Sequence, residues 1–424
     1  MQIIQKPKGT NDVYDSYGRK VLYIRNLIEN IAKTYNYNYF RTPTFEKTEL
    51  FKRGVGDTTD IVEKETYDFV DKGNRNMTLK PEGTASIVRS IIENKLYVNG
   101  INKAWYFMPM FRYERPQAGR LREHFQFGFE CFGINDPMID AEIISIPVKI
   151  LKTLGLKGIK VNINSLGDIE SRNNYRTALK NYFSEHLDIL CDDCKARYER
   201  NPLRIIDCKT DSNLDIIKNA PIILDYLNDE SKKYFEKVKE CLTNLNITYE
   251  VNPRIVRGLD YYTHTVFEIT AEIDGFGSQN VLCGGGRYNN LVSSLGGPDT
   301  PAVGFGMGIE RLINALDMEN IIIDKKDIDV YVCYVTDNEK NYAFKLLNDL
   351  RNENIKCDMS YMTKSLKSQF KDADINNPKY IIIIGNDEVK ENVLTVKNNI
   401  TKEEYKVNKN EISKFIKTSG NMSR

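Results

Sequence analysis

Short β-rich stretches follow one another from residue 66 to residue 133, and turn residues separate them. They read TYDFVD, NMTLKPEGTA, AWYFMPMFRYERP and HFQFGFECFG. Strands joined by short turns pair with their neighbours in antiparallel order. This region therefore predicts an antiparallel sheet, interrupted by one helix in TASIVRSIIENKL.

The flanking segments predict helices around this sheet and a second domain after it. Residues 17–36 place Val21, Ile24, Ile28, Ile31 and Tyr35 on one apolar helical stripe. The strand-like FRTPTFE follows, and its proline predicts an edge strand. Residues of about 168–250 are helical, charged and asparagine-rich, which indicates an insertion between parts of the sheet. From residue 327 to 424 strands and helices alternate as in a small α/β domain. The expected fold is α+β, with domains at 1–322 and 327–424.

Composition excludes several classes of protein. The chain is 41% hydrophobic and 28% charged, as an ordinary globular protein is, and its formal net charge of +1 gives no bulk attraction to nucleic acid. The N-terminus lacks an apolar signal and the longest aliphatic run is 381–384, so we expect a cytoplasmic protein without a membrane span and with reduced cysteines. Only three histidines are present, which argues against a histidine-built metal centre.

A cluster of arginines lies in FMPMFRYERPQAGRLREHFQF, residues 107–127. Arg112, Arg115, Arg120 and Arg122 fall within eleven residues, around a proline and a glycine. The simplest interpretation is a solvated charged loop. However, Arg112 is expected within the strand before the turn, on the face of Glu114, where a fixed guanidinium could bind phosphate oxygens.

Other short segments carry polar groups in regular positions. KPEGTA, residues 80–85, could be only the N-terminal cap of a helix. Gln126 and Glu130, four apart on a strand, share one face. GFGMGIERL does not have the spacing of a dinucleotide-binding fingerprint, but its alternating glycines would let a ligand lie flat on a strand. Arg311 then stands in the first turn of a helix, where cation and helix dipole both face an anion.

These segments together resemble the class II aminoacyl-tRNA synthetases. The strand with Pro43, the FRYERP hairpin and GFGMGIERL are similar to motifs 1, 2 and 3 of that class, in the same order. VRGLDYY and CGGGRYNNL resemble signatures of the histidyl-tRNA synthetases, as do PKGTNDV, TLKPEGTA and YIIIIGNDEV. The resemblance implies a class II antiparallel sheet core with a helical insertion and a C-terminal α/β anticodon-binding domain.

The resemblance also implies an activity and its residues. It implies ATP-dependent ligation of L-histidine to tRNA(His) through histidyl-adenylate, with release of AMP and pyrophosphate. ATP with Mg²⁺ would be the substrate complex, without a tightly bound prosthetic group or structural metal, and motif 1 implies a homodimer. The implied catalytic arginines are Arg112, Arg257 and Arg311. The implied histidine-binding residues are Glu82, Gly83, Thr84, Gln126, Glu130, Tyr261 and Tyr262. The loop implied to contact ATP and the tRNA acceptor end carries Arg115, Gln117, Arg120 and Arg122.

The sequence leaves several alternatives open. His124 fits a partly exposed loop residue slightly better than a catalytic one. Cys191, Cys194 and Cys208 with His186 could hold zinc, but the loose spacing favours reduced thiols. A regulatory relative that partners ATP phosphoribosyltransferase is the main rival, and the three catalytic arginines and the terminal domain argue against it. A pure RNA-binding module would not need the implied histidine pocket.

Overall fold

The structure is a computed structural model that describes residues 3–56, 59–100, 102–116, 119–208, 210–255, 259–277, 280–323 and 328–419. The chain forms two compact units, Met1–Ile323 and Asp324–Arg424. No helix in these described ranges is both long and apolar enough to cross a membrane.

The first unit contains helices and strands in mixed order. Its α-helices are α1 (Asp15–Thr34), α2 (Thr48–Val55), α3 (Asp60–Lys64), α4 (Thr84–Glu93), α5 (Pro137–Thr153), α6 (Ile169–Ser184), α7 (Asp192–Arg200), α8 (Asp215–Lys218), α9 (Asp229–Asn244), α10 (Leu291–Ser294) and α11 (Ile309–Met318). Its strands are β1 (Asn38–Tyr39), β2 (Phe45–Lys47), β3 (Tyr67–Val70), β4 (Asn76–Leu79), β5 (Asn102–Phe111), β6 (Glu123–Phe132), β7 (Ile159–Ser165), β8 (Glu250–Val251), β9 (Thr263–Ala271), β10 (Val281–Arg287) and β11 (Ala302–Gly308). Short 3₁₀ turns include Leu96–Asn99, Leu187–Ile189, Pro202–Ile205 and Ile223–Tyr226.

The predicted antiparallel sheet is confirmed as an eight-stranded sheet with the order β1-β5-β6-β11-β10-β9-β7-β8. Its short outer strands pair in parallel, β1 with β5 and β8 with β7, and the other neighbours are antiparallel. The arginine-rich segment joins β5 to β6, which pair from Asn102↔Phe132 to Phe111↔Glu123.

One part of the sheet prediction was wrong. The stretches TYDFVD and NMTL, as β3 and β4, do not join the large sheet but form a separate three-stranded sheet with the order β2-β4-β3. Pro43 lies before β2 rather than within a strand, and β2 is at the edge of this small sheet. A proline cannot donate a ladder hydrogen bond, which is consistent with the position of Pro43 before the paired residues of β2.

The main hydrophobic core lies on one face of the eight-stranded sheet. Trp105, Phe127, Phe129 and Phe305 point into it, and helices α1, α5, α9 and α11 cover it. The predicted stripe of α1 is confirmed, because Val21, Ile24, Ile28 and Ile31 are all buried there. Each such aliphatic side chain contributes about 1.5–3 kcal/mol by its removal from water. The opposite face is covered only in part, by α4 and α10, which leaves it available for a site.

The residues of the predicted insertion pack in two groups. Helices α6 and α7 and the segment that follows share a small core of their own, which includes Tyr175, Leu179 and Phe183. Helix α9 instead packs Phe235 and Val238 into the main core. The part of the insertion that has its own core therefore ends before α9, and α9 belongs to the core of the large sheet.

The second unit is the alternating α/β fold that its sequence predicts. Its elements are β12 (Ile328–Tyr334), α12 (Asp337–Asn352), β13 (Cys357–Met359), α13 (Leu366–Asn376), β14 (Pro378–Ile384), α14 (Asn386–Glu391), β15 (Val393–Asn398), β16 (Glu404–Asn408) and α15 (Ile412–Ser419). The sheet order is β13-β12-β14-β15-β16, parallel in its first three strands and antiparallel in the terminal hairpin. Thr336 and Glu339 form a capping box that fixes the start of α12.

Candidate active site

Glycines form the floor of a cleft on the open face of the large sheet. In β10 and β11 the paired residues include Gly284 with Gly306 and Gly286 with Gly304. A Cβ atom on Gly304 would lie 1.6 Å from Glu130 Oε2, and one on Gly306 would lie 2.5 Å from Gln126 Nε2. A Cβ on Gly308 would meet no atom within 4 Å. The glycines therefore leave space for side chains from β6 at one end and open space at the other.

Strand β6 supplies the polar side chains that lie over this floor. His124, Gln126 and Glu130 alternate with core residues and so share one face, as predicted for the last two. At about 3.3 Å per residue, the row from His124 to Glu130 is about 20 Å long. The cleft is long enough for an extended ligand with chemically different ends.

Glu130 is the most deeply buried acid of the cleft, with 0% of its surface exposed. Thr84 Oγ1 donates to its Oε1 at 2.7 Å, and the Tyr288 hydroxyl donates to its Oε2 at 2.5 Å. Burial raises the pKa of Glu130 to about 8, despite these two donors and with a smaller contribution from Glu82. This end of the cleft therefore holds a carboxyl group that can be protonated near neutral pH.

Glu82 lies at the start of α4. Its carboxylate accepts from the backbone N–H groups of Thr84 at 2.7 Å and Ala85 at 2.8 Å. It thus caps α4, whereas the Thr84 hydroxyl turns to Glu130. The capping interpretation of KPEGTA is correct in part, with Glu82 rather than Thr84 as the capping side chain. Burial raises the pKa of Glu82, and Arg112 opposes that change.

Tyrosines enclose the same end of the cleft. The rings of Tyr261 and Tyr262 are 4.7 Å apart, and Tyr261 also meets Tyr288 edge-on at 5.5 Å. Gln126 Nε2 donates to the Tyr106 hydroxyl at 2.8 Å. Sequence reasoning missed Tyr106 and Tyr288 as site residues. Tyr288 stands in CGGGRYNNL, a segment that the motifs had indicated, whereas Tyr106 carried no signal beyond its position in a strand.

Positive charge is concentrated at the other end of the cleft. Arg112 Nε donates to the Pro81 carbonyl at 2.8 Å, and Arg311 Nη1 donates to the Val281 carbonyl at 2.6 Å. Burial and then the charges of Arg120 and Arg112 lower the pKa of Arg311, which indicates that these cations are close together. Arg311 stands in the first turn of α11, as predicted. Fixed guanidinium groups in close proximity are suited to a polyphosphate.

Two expectations at this end need correction. Strand β5 ends at Phe111, so Arg112 follows the strand rather than lying within it, although its N–H still bonds to the Arg122 carbonyl at 2.9 Å. His124 is not a loop residue, because β6 begins at Glu123. Burial, followed by the charge of Arg112, lowers the pKa of His124 to about 3. His124 is therefore a neutral group beside the arginines.

The arginines of the β5–β6 connection differ in their contacts. Arg122 stacks on the Tyr113 ring at 3.9 Å and donates through Nε to the Glu114 carbonyl at 3.4 Å. Arg120 lies 3.4 Å from a Glu114 carboxylate oxygen, and Arg115 is exposed. Gln117 of this connection and Arg257 of VRGLDYY lie outside the described residues.

Two further acids, one buried and one partly buried, hold the surrounding elements in place. Arg287 of CGGGRYNNL forms a fully buried ion pair with Asp140 of α5, with Nε 3.0 Å from Oδ1. Glu310 accepts from the Phe125 backbone N–H at 2.9 Å, and burial raises the pKa of Glu310 to about 7. These contacts join β10 to α5 and β6 to the start of α11, and so support the two ends of the cleft.

The sheet, the arginine-bearing connection after β5 and the glycine strand that leads into α11 define a class II aminoacyl-tRNA synthetase core. The sequence model of the family described as histidyl-tRNA synthetase matches residues 9–312, and that of the anticodon binding domain matches residues 329–419. The chain belongs to the histidyl-tRNA synthetase family.

Similar proteins match nearly the whole length of the chain. A histidine–tRNA ligase of Geobacillus sp. (strain WCH70) is 49% identical over 416 residues, which are 97% of this chain and 98% of the relative. One of Anoxybacillus flavithermus is 50% identical over 406 residues, 95% of this chain and 96% of the relative. The crystal structure of apo S. aureus histidyl-tRNA synthetase is 39% identical, with a TM-score of 0.83 over 98% of this chain and 100% of that one.

Proposed function

We propose that this chain ligates L-histidine to tRNA(His) at the expense of ATP, and that both chemical steps take place in the cleft on the large sheet. The chain is a histidine–tRNA ligase that works through histidyl-adenylate and releases AMP and pyrophosphate. The observation that carries the assignment to the cleft is the difference between its two ends. Buried hydrogen-bonding groups line one end and clustered arginines line the other, over a floor of glycines.

The buried polar end is the proposed histidine site. Glu130 and Tyr262 would meet the two imidazole nitrogens, with Tyr261 beside them. The α-amino group would be held by Glu82, Thr84 and Gln126, and Gly83 would be a further residue of the histidine site. The contacts of Glu130 support this assignment, since a bound imidazole N–H could take the place of one of its present donors. A site built to match polar groups rejects ligands that lack them by about 10⁴- to 10⁵-fold, because buried partners are left unpaired.

The cationic end is the proposed ATP site. Arg112 would bind the α-phosphate, Arg311 the γ-phosphate end of a bent ATP, and Arg257 both the α-phosphate and the attacking carboxylate. A carboxylate oxygen of histidine forms a bond to the α-phosphorus, while the bond from that phosphorus to the bridging oxygen breaks and pyrophosphate leaves. The histidine carboxylate is already ionised at pH 7, so no general base is needed. Positioning and charge stabilisation account for the catalysis.

ATP brings Mg²⁺ with it as part of the substrate, and the ion neutralises phosphate charge. In the second step the terminal ribose hydroxyl of the tRNA attacks the histidyl carbonyl carbon, and AMP leaves. Arg115, Gln117, Arg120 and Arg122 are the proposed contacts to ATP and the tRNA acceptor end. Exposed Arg115 is best suited to the tRNA, because Arg120 and Arg122 already contact Glu114 and Tyr113. No prosthetic group is required.

The remaining proposals concern domains, assembly and compartment. Residues 1–322 would form the catalytic domain and residues 327–424 the domain that binds the anticodon. A homodimer would form through motif 1, and exposed apolar side chains there, Leu22, Tyr23 and Tyr39, support such an interface. The proposed compartment is the cytoplasm.

The test is ATP–pyrophosphate exchange with purified protein and each of the twenty amino acids, without tRNA. We expect exchange with histidine alone, followed by charging of tRNA(His) when that RNA is added. Protein that is folded but exchanges with no amino acid would refute the ligase assignment and favour the regulatory rival. Exchange with another amino acid would refute the assignment of the histidine pocket.

A further inference from the structure

The helical insertion brings three thiols and a carboxylate together, away from the cleft. The Sγ atoms of Cys191, Cys194 and Cys208 and a carboxylate oxygen of Asp211 all lie within 4.8 Å of one another. Sequence reasoning had grouped the cysteines with His186, but the structure brings Asp211 to them instead. Cys194, Cys208 and Asp211 are 0%, 4% and 5% exposed, so the group is largely closed to water.

We propose that Cys191, Cys194, Cys208 and Asp211 bind one Zn²⁺ ion as a structural site. This proposal replaces the sequence-based preference for reduced thiols without a metal. Structural zinc takes four ligands in tetrahedral order, and thiolate sulfur and carboxylate oxygen are both among its usual protein ligands. Binding would release the protons of the three thiols to solvent, since the thiolate is the ligand.

The sulfur spacing fits zinc better than it fits a disulfide. With Zn–S bonds of about 2.3 Å, two sulfurs on a tetrahedron lie about 3.8 Å apart. Cys191 Sγ and Cys208 Sγ are 3.7 Å apart. A disulfide would need about 2.05 Å, and all three cysteines are free. These two sulfurs therefore already have the separation that a tetrahedral zinc site requires.

A backbone N–H group holds the carboxylate of the cluster next to the thiols. Cys191 is the N-cap residue of α7, which places its thiol at the start of that helix. The Cys191 N–H donates to Asp211 Oδ2 at 3.0 Å, which fixes the carboxylate beside the thiols. This donor stabilises negative charge on one of the proposed ligands.

The position of the site suggests what the metal would hold in place. Between Cys194 and Cys208 the chain makes the turn Pro202–Ile205, and Asn201 Nδ2 and Arg204 Nη2 donate to Asp260 Oδ1 at 3.2 and 3.1 Å. Asp260 directly precedes Tyr261. A zinc ion that closes this segment would fix the insertion against the loop that carries the tyrosines of the proposed histidine site.

The test measures metal content and does not depend on catalytic activity. A negative result would therefore refute the zinc site without bearing on the proposed function. Full-length protein, purified without a metal-affinity tag or chelator, is analysed by inductively coupled plasma mass spectrometry. We expect about one zinc per chain in the wild type and in Cys241→Ser, whose half-buried thiol lies outside the cluster. Cys208→Ser should lose the metal, and Asp211→Asn should bind it more weakly.

A second measurement tests the site even if the metal is lost during purification or a variant does not fold. Wild-type protein stripped of metal is titrated with Co²⁺, which gives thiolate charge-transfer absorption and intense visible bands when its site is tetrahedral. We expect both signals at one Co²⁺ per chain and their displacement by Zn²⁺. A wild type that holds no zinc and gives no such spectrum overturns the proposal. Equal zinc in a folded Cys208→Ser variant overturns it as well.

Discussion

Replacement of Glu130 by glutamine should change how stability depends on pH, because the wild-type carboxyl resists ionisation in the folded protein. The pKa of Glu130 is raised by burial from 4.5 to about 8. Below pH 4.5 the group is protonated in both states and contributes nothing. As the pH rises to 8 the unfolded chain loses this proton and the folded protein keeps it, so folding stability falls.

The size of this effect follows from the two pKa values. At about 1.4 kcal/mol per pH unit, the loss of stability is about 2 kcal/mol at pH 6 and about 5 kcal/mol at pH 9, where it has levelled off. Glu130→Gln removes the ionisation. Relative to wild type, the variant should therefore gain about 3 kcal/mol in the free energy of unfolding between pH 6 and pH 9.

The assay is urea denaturation of wild type, Glu130→Gln and the control Glu250→Gln at intervals between pH 6 and pH 9. Glu250 is exposed, so its variant should follow the wild type at every pH. If Glu130→Gln also follows the wild type, Glu130 is ionised in the folded protein throughout, and the argument from burial is refuted.

The same variant tests the proposed histidine site. Loss of a hydrogen bond between the neutral Glu130 carboxyl group and the substrate costs about 0.5–1.5 kcal/mol, so kcat/KM for histidine in pyrophosphate exchange should fall roughly 2- to 13-fold. The KM for ATP should change little, since the arginines bind it. A variant with unchanged histidine kinetics would remove Glu130 from the pocket.

Three further predictions concern the floor and the arginines. Arg257→Ala should reduce adenylate formation by orders of magnitude with a smaller change in ATP binding, and an unchanged exchange rate would exclude a catalytic role. Gly304→Ala should lower the free energy of unfolding by about 1–3 kcal/mol because its Cβ would collide with Glu130, whereas Gly308→Ala, which faces open space, should leave it unchanged. Thermal and urea denaturation of both variants measure this, and equal losses would contradict the account of the floor. Arg115→Ala should slow tRNA charging and weaken its salt dependence without affecting pyrophosphate exchange. An equal loss in both assays would place Arg115 on ATP instead.

Local patterns were sufficient for most of the elements. The stripe from Val21 to Ile31 predicted a helix because the helical period alone decides which residues share a face. The hairpin of β5 and β6 was predicted for a similar reason, since two apolar strand-like stretches joined by a short polar turn usually pair with each other. The shared face of Gln126 and Glu130 needed only the period of a strand. The family, too, was evident from ordered motifs that lie close together in the sequence.

Features that depend on long-range packing could not be predicted in this way. The separation of β3 and β4 into a second sheet depends on which strand edges are free in the folded chain, and a local sequence pattern does not contain that information. The same is true of the hydroxyl groups that contact Glu130, since Thr84 and Tyr288 lie 46 and 158 residues away from it. Asp211, rather than His186, meets the three cysteines because the insertion folds on its own small core. The sequence by itself determined the elements and the kind of chemistry; only the tertiary structure decided which distant side chains share a buried environment and therefore how they ionise.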